Sequence, residues 1–197
     1  MKRTILLASS SPYRKQLLER LNLPFDCASP DIDESPTPAE NAETLAVRLA
    51  TEKARALAKS HPNTLLIGSD QVATLPDGSL LNKPNSHEQA VKQLTRSSGQ
   101  CVQFCTGLAV LDSQTGDLKT HCELFTVRFR NLSQDEITGY LNKEQPYDCA
   151  GSFKMEGLGI TLFSSLEGRD PNSLIGLPLI ALAGMLREFG VNPLLDN

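Results

Sequence analysis

The run Ser9-Ser10-Ser11-Pro12 puts hydroxyls and backbone N–H groups at the start of a helix. There the helix dipole and unpaired donors favour an anion. Arg14 falls in the first turn. The same residues also fit a plain serine N-cap followed by proline at the first helical position, with an exposed arginine. Asp70 comes just after the apolar run Leu65-Leu66-Ile67, and three roles are open to it: metal ligand, general base, or the side chain that starts a turn. Glu34 ends the acidic cluster Asp31-Ile32-Asp33-Glu34, Lys53 belongs to a helical stretch, and Lys83 precedes Pro84. Singly, each is an ordinary solvated charge or a snorkelling lysine. Together they suit a triphosphate with a hard cation, because Mg²⁺ takes one or two carboxylates and completes its shell from water and substrate oxygens.

The bulk properties narrow the partner. A net charge of -4 and a pI near 5.4 argue against a nucleic acid polymer, which is held by a field of Lys and Arg. A small anion needs only a few converging bases. The five cysteines, Cys27, Cys101, Cys105, Cys122 and Cys149, form no CxxC pair. With no evident signal peptide, a reducing cytoplasm is expected. Cys101, Cys105, His121 and Cys122 fit no common zinc spacing and read as buried thiols. No apolar run approaches the roughly 20 residues of a membrane span.

The elements that must position these residues are readable from pattern. Thr4-Ile5-Leu6-Leu7-Ala8 predicts a strand buried on both faces. A helix opens at Pro12, with Leu17, Leu18 and Leu21 on one side. Prolines and acids between Pro24 and Pro38 favour extended chain and turns. Thr37 with Glu40 reads as a capping box that begins a helix running to about Lys59, with Leu45, Leu49 and Leu57 inward. The strand at 65–67 is expected to stop where the polar cluster Gly68-Ser69-Asp70-Gln71 begins, so that Asp70 sits at a strand end, where α/β proteins place chemistry. Asp77-Gly78 marks a turn, and Ser86 with Gln89 opens a helix over Ala90, Val91 and Leu94. Residues 101–129 alternate as a hairpin turning at 114–117. Ser133 with Glu136 caps a further helix, a glycine-rich loop from Ala150 precedes a strand over 160–163, and the last helix spans about Pro178 to Phe189. Helices and strands mix along the whole length, which predicts one α/β domain of α+β mixed character over 1–197, with room for two lobes.

Read in order, Leu7-Ala8-Ser9-Ser10-Ser11-Pro12-Tyr13-Arg14, Gly68-Ser69-Asp70, Asn82-Lys83-Pro84, Ala150-Gly151-Ser152-Phe153 and Gly176-Leu177-Pro178 resemble the successive motifs of the Maf family. This resemblance implies an elongated mixed sheet flanked by helices, like the fold of inosine triphosphatases. It also implies a cytoplasmic nucleoside triphosphate pyrophosphatase that releases a monophosphate and pyrophosphate. Mg²⁺ is the expected metal, with Mn²⁺ or Co²⁺ as alternatives, and a homodimer is suggested. On that pattern Asp70 matches the proton acceptor. Ser9, Ser11, Arg14, Lys53 and Lys83 fall at the phosphate site, and Glu34 and Asp70 are the candidate metal ligands.

Three positions depart from the commonest family pattern. Tyr13 stands where Arg is usual, Gln71 where Thr is frequent, and Glu156 where Gln is common. An aromatic residue, Gln and Glu at these places resemble the subfamily that hydrolyses 7-methyl-GTP rather than dTTP and UTP. Physical chemistry agrees: 7-methylguanine carries a delocalised positive charge that an aromatic face attracts by about 0.5–2 kcal/mol. An ionised Glu accepts from guanine N1–H and N2–H, whereas Gln offers a donor and an acceptor better matched to uracil or thymine. The alternatives are a dTTP/UTP pyrophosphatase of the same family and a nucleotide-binding regulator with no use for Asp70.

Overall fold

A computed structural model describes residues 3–38 and 40–196. The chain forms two compact units: Met1–Asp70, Thr106–Glu123 and Asp170–Asn197 make the first, and Gln71–Cys105 and Leu124–Arg169 the second. A six-stranded mixed sheet has the order β2-β1-β3-β4-β5-β6. The strands are β1 (Thr4–Ala8), β2 (Asp26–Ala28), β3 (Thr64–Thr74), β4 (Cys101–Asp112), β5 (Leu118–Phe129) and β6 (Phe163–Gly168). The helices are α1 (Pro12–Glu19), α2 (Ala42–Ala56), α3 (His87–Ser97), α4 (Gln134–Glu144), α5 (Asn172–Ile175) and α6 (Leu179–Glu188). Strand β1 pairs in parallel with β2 and β3, and β5 pairs antiparallel with β6.

In the first unit the sheet is covered on both faces, which explains the unbroken apolar runs of β1 and β3. Ile5, Leu7, Leu65 and Ile67 pack with Leu17 and Leu18 of α1 and with Leu182 and Leu186 of α6. Leu6 and Leu66 turn the other way, onto Ala50 and Ala54 of α2. Two glycines let α2 lie against the strands. A Cβ on Gly68 would stand 2.0 Å from the Ala50 carbonyl oxygen, and one on Gly107 would stand 2.1 Å from that of Ala46. No side chain fits at either place, so the helix backbone rests directly on β3 and β4.

The second unit is built around an edge-to-face aromatic cluster. Phe153 meets Phe104, Phe129 and Phe163 at ring-centroid distances of 5.4, 5.8 and 4.8 Å, a geometry favoured by the ring quadrupole. Helix α4 carries the predicted capping box of Ser133 and Glu136, and Ser86 caps α3 through the Gln89 N–H.

Four expected boundaries move. Strand β3 does not stop at Gly68 but continues to Thr74, because its polar side chains find partners indoors and so give no reason to leave the sheet. Helix α2 starts at Ala42 behind Asn41, not at Thr37, and ends at Ala56. Thr37 does bond Glu40 through its N–H and hydroxyl, but that closes a turn ahead of the helix; Ala39, within it, lies outside the described residues. The strand expected at 160–163 begins only at Phe163, since residues 158–162 form a 3₁₀ turn. The short helix α5 has too few residues to show a period. Among the described residues no helix is long and apolar enough to cross a membrane.

Candidate active site

The site grows from the close approach of α2 to β3. Leu66 and Gly68 of β3 face α2, and the two-residue period of the strand puts Asp70 on the same face. On the helix, Lys53 lies three residues beyond Ala50, the residue against which Gly68 rests. The result is a buried ion pair: Lys53 Nζ donates to Asp70 Oδ1 at 2.6 Å, and the two residues are 6% and 8% exposed. The ammonium also meets Glu34 Oε1 at 2.7 Å, from a side chain that remains 58% exposed. Two carboxylates, one from β3 and one from the segment between β2 and α2, thus converge on one cation.

Their chemistry fits a hard cation. Glu34 and Asp70 offer oxygen donors only, and Mg²⁺ is commonly held by one or two carboxylates with water and phosphate oxygens completing six positions. Among the described residues no set of three or more His, Cys, Asp or Glu is disposed as a protein-only metal cage. A metal here would draw the rest of its shell from substrate and water.

The serine loop leads into α1 beside this cluster. Ser9 is buried and its Oγ accepts from the Ser11 N–H at 3.1 Å, while Ser11 Oγ accepts from the Arg14 N–H at 3.4 Å and caps the helix. Burial lowers the Arg14 guanidinium pKa from its ordinary value, an effect opposed by the negative charges of Asp70 and Glu34. Arg14 Nε donates to the Gly176 carbonyl at 2.9 Å. The Ser69 hydroxyl lies 2.9 Å from the same oxygen and 2.8 Å from the Gly107 carbonyl. Gly176 has φ 122, a conformation that side chains strain to adopt. Its turn is tied down by fully buried Asp170, whose carboxylate accepts from the Asn172 N–H at 2.9 Å and the Ile180 N–H at 2.7 Å. Tyr13 is half-buried in the first turn of α1.

The remaining predicted residues belong to the second unit. Gln71 is half-buried on β3, directly after Asp70, while Lys83 and Glu156 are exposed. Gln93 of α3 links two of the sequence motifs: its Nε2 donates to the Asn82 carbonyl at 2.8 Å, and its Oε1 accepts from the Ser152 hydroxyl at 2.6 Å. The turn that carries Glu156 is braced by α4. Lys154 N–H donates to Tyr140 Oη at 3.0 Å, and Leu158 N–H donates to Glu144 Oε2 at 2.8 Å.

The structure therefore gathers Arg14, Glu34, Lys53 and Asp70 with the Ser9–Ser11 loop in the first unit, and puts Gln71, Lys83 and Glu156 in the second. Ser69, Gln93, Asp170 and Gly176 hold these elements, and none of them stands out individually in the sequence. Their signal is a polar or flexible residue made indispensable by burial, which residue type alone does not report.

The family profile described as Maf, Maf-like protein, matches residues 4–189. The chain is 59% identical, over 96% of its own length and 98% of the relative's, to a protein of Pseudomonas savastanoi pv. phaseolicola (strain 1448A / Race 6) named 7-methyl-GTP pyrophosphatase. Among solved structures, the Ham1 protein of Staphylococcus aureus is similar in fold, with a TM-score of 0.56 at 15% identity over 95% of this chain and 100% of that one. With a profile match across almost its whole length and a close full-length relative, the chain belongs to the Maf family.

Proposed function

We propose that this protein is a nucleoside triphosphate pyrophosphatase that hydrolyses 7-methyl-GTP to 7-methyl-GMP and pyrophosphate. The full-length likeness to a relative bearing that name carries the reading, and the Asp70–Lys53–Glu34 cluster supplies chemistry to match it. Water adds to phosphorus as the anhydride between the α- and β-phosphates breaks. Asp70 orients that water and accepts its proton. Pyrophosphate leaves with the bridging oxygen, whose growing charge Lys53, Arg14 and Lys83 offset. Ser9 and Ser11, each accepting a backbone N–H through a lone pair, keep an O–H proton to donate to phosphate. Glu34 and Asp70 would hold a divalent cation such as Mg²⁺, which when bound would supply further neutralisation of the triphosphate. Tyr13 stacks on the methylated, positively charged base, and Glu156 and Gln71 read its edge. Five cysteines with no CxxC pair among them accord with a reducing cytoplasm as the place of action.

The test is pyrophosphate release from 7-methyl-GTP, GTP, dTTP and UTP with Mg²⁺ present. Preference for 7-methyl-GTP is expected. Preference for dTTP and UTP overturns the base assignment but keeps the enzyme class, and release from none of the four overturns both.

A further inference from the structure

Glu34 occupies a segment without helix or strand, between β2 and α2. Its side chain is largely exposed, so packing does not hold it in front of Lys53. Arg48, one turn and a half before Lys53 on α2, fastens the backbone next to Glu34. Its Nε and Nη2 grip Glu40 Oε1 and Oε2 at 2.7 and 3.0 Å, the two-pronged arrangement that a guanidinium makes and an ammonium cannot. The same Nη2 donates to the Ser35 carbonyl at 3.0 Å, on the residue that directly follows Glu34. Nη1 donates to Glu52 at 3.1 Å, which keeps the guanidinium on its own helix. Glu40 in turn accepts from the Thr37 N–H and hydroxyl at 3.1 and 3.0 Å, and Asp33 Oδ1 accepts from the Ser35 N–H at 2.9 Å. The chain on the C-terminal side of Glu34 is therefore fastened to α2 at Ser35 and at Glu40. The Arg48 and Glu40 side chains are 25% and 8% exposed and meet through two prongs, which sets them apart from the single-contact surface pair whose contribution is usually negligible.

We propose that Arg48, through Ser35 and Glu40, is a positioning residue that sets the Glu34 carboxylate where a metal and the substrate phosphates are handled. The inference rests on the functional reading above. Arg48 touches neither substrate nor metal; it fixes the backbone from which one carboxylate reaches. Partners one shell removed from a ligand commonly govern metal affinity by about 10- to 100-fold.

The experiment compares wild type with Arg48→Gln, Arg48→Lys and Glu40→Gln. Two quantities are followed that need no turnover: amide exchange of residues 31–38, and Mg²⁺ affinity by calorimetry with inorganic pyrophosphate present. Arg48→Gln and Glu40→Gln are expected to speed exchange in 31–38 and to weaken Mg²⁺ binding about tenfold. Arg48→Lys restores only part of both, and kcat at saturating Mg²⁺ stays within about twofold in every variant. Unchanged Mg²⁺ affinity in a variant whose segment exchanges faster overturns the proposal, as does unchanged exchange. If Arg48→Gln fails to fold, Glu40→Gln decides, since it cuts the same clamp from the loop side. A wild type inert toward every nucleotide defeats the functional reading, while the exchange and Mg²⁺ measurements still judge the clamp.

Discussion

Lys53 Nζ and Asp70 Oδ1 meet at 2.6 Å because Gly68, two residues before Asp70, leaves no Cβ to hold α2 away from β3. Gly68→Ala is predicted to push the helix outward, with a loss of at least about 1–3 kcal/mol from overpacking. The pair would separate with it. Urea unfolding measures the first effect. The second appears as a fall in kcat that persists at temperatures where the variant is fully folded; full activity in a destabilised variant would show that the spacing of the pair is unimportant.

Removing the ammonium tests the pair from the other side. Lys53→Met keeps the apolar stem but leaves Asp70 buried without its cation, a type of change that costs about 3–5 kcal/mol. Chemical denaturation at neutral pH is the measurement. A midpoint equal to wild type would mean that solvent already stabilises the carboxylate.

Asp70→Asn keeps size and shape while removing the proposed proton acceptor. A fall in kcat of about 10²–10⁴-fold is expected, with 7-methyl-GTP still bound in equilibrium dialysis. Turnover at the wild-type rate would assign the proton to another group and favour a different hydrolytic centre.

Base choice is separable from hydrolysis. Tyr13→Ala should lower kcat/KM for 7-methyl-GTP by about 2- to 30-fold, the range equivalent to the cation–π attraction, while GTP falls less. Glu156→Gln should move preference toward UTP and dTTP. Equal losses on methylated and unmethylated guanine would remove Tyr13 from base recognition.

The Arg48 clamp also has a pH signature. Hydrogen bonds from Arg48 and then from the Thr37 N–H hold the Glu40 pKa down to about 2, against its ordinary 4.5. A depressed carboxylate contributes stability that is fully present above 4.5 and is lost as pH falls through about 2. Glu40 should therefore still be ionised at pH 4 when its side-chain carbonyl is followed by NMR. An inflection near 4.5 would show that the two-pronged contact does not persist in solution.

Much of this arrangement is legible in the amino-acid sequence. The serine cap at Ser11, the capping box at Ser133 and the hairpin turn at 114–117 rest on local chemistry, and local chemistry survives folding. Asp70 shows where such reading stops. A run of Gly, Ser, Asp and Gln after apolar residues looks like a strand ending, yet β3 carries them inside because Ser69 finds the Gly107 and Gly176 carbonyls and Asp70 finds Lys53. Those partners lie 38, 107 and 17 residues away in sequence. Arg48 does not stand out in the sequence for the same reason: its value depends on Ser35 and Glu40, which only the fold sets beside it.

The continuation of β3 through Asp70 gives that residue an address with parity. Inserting or deleting one residue upstream within the strand would turn the carboxylate from the α2 face to the face shared by α1 and α6. Glu34 is under no such constraint, since its segment has no pleat to keep. Across descendants of this fold, position 70 should drift by substitution alone, whereas the stretch around Glu34 can gain or lose residues provided an arginine on the helix still has something to hold.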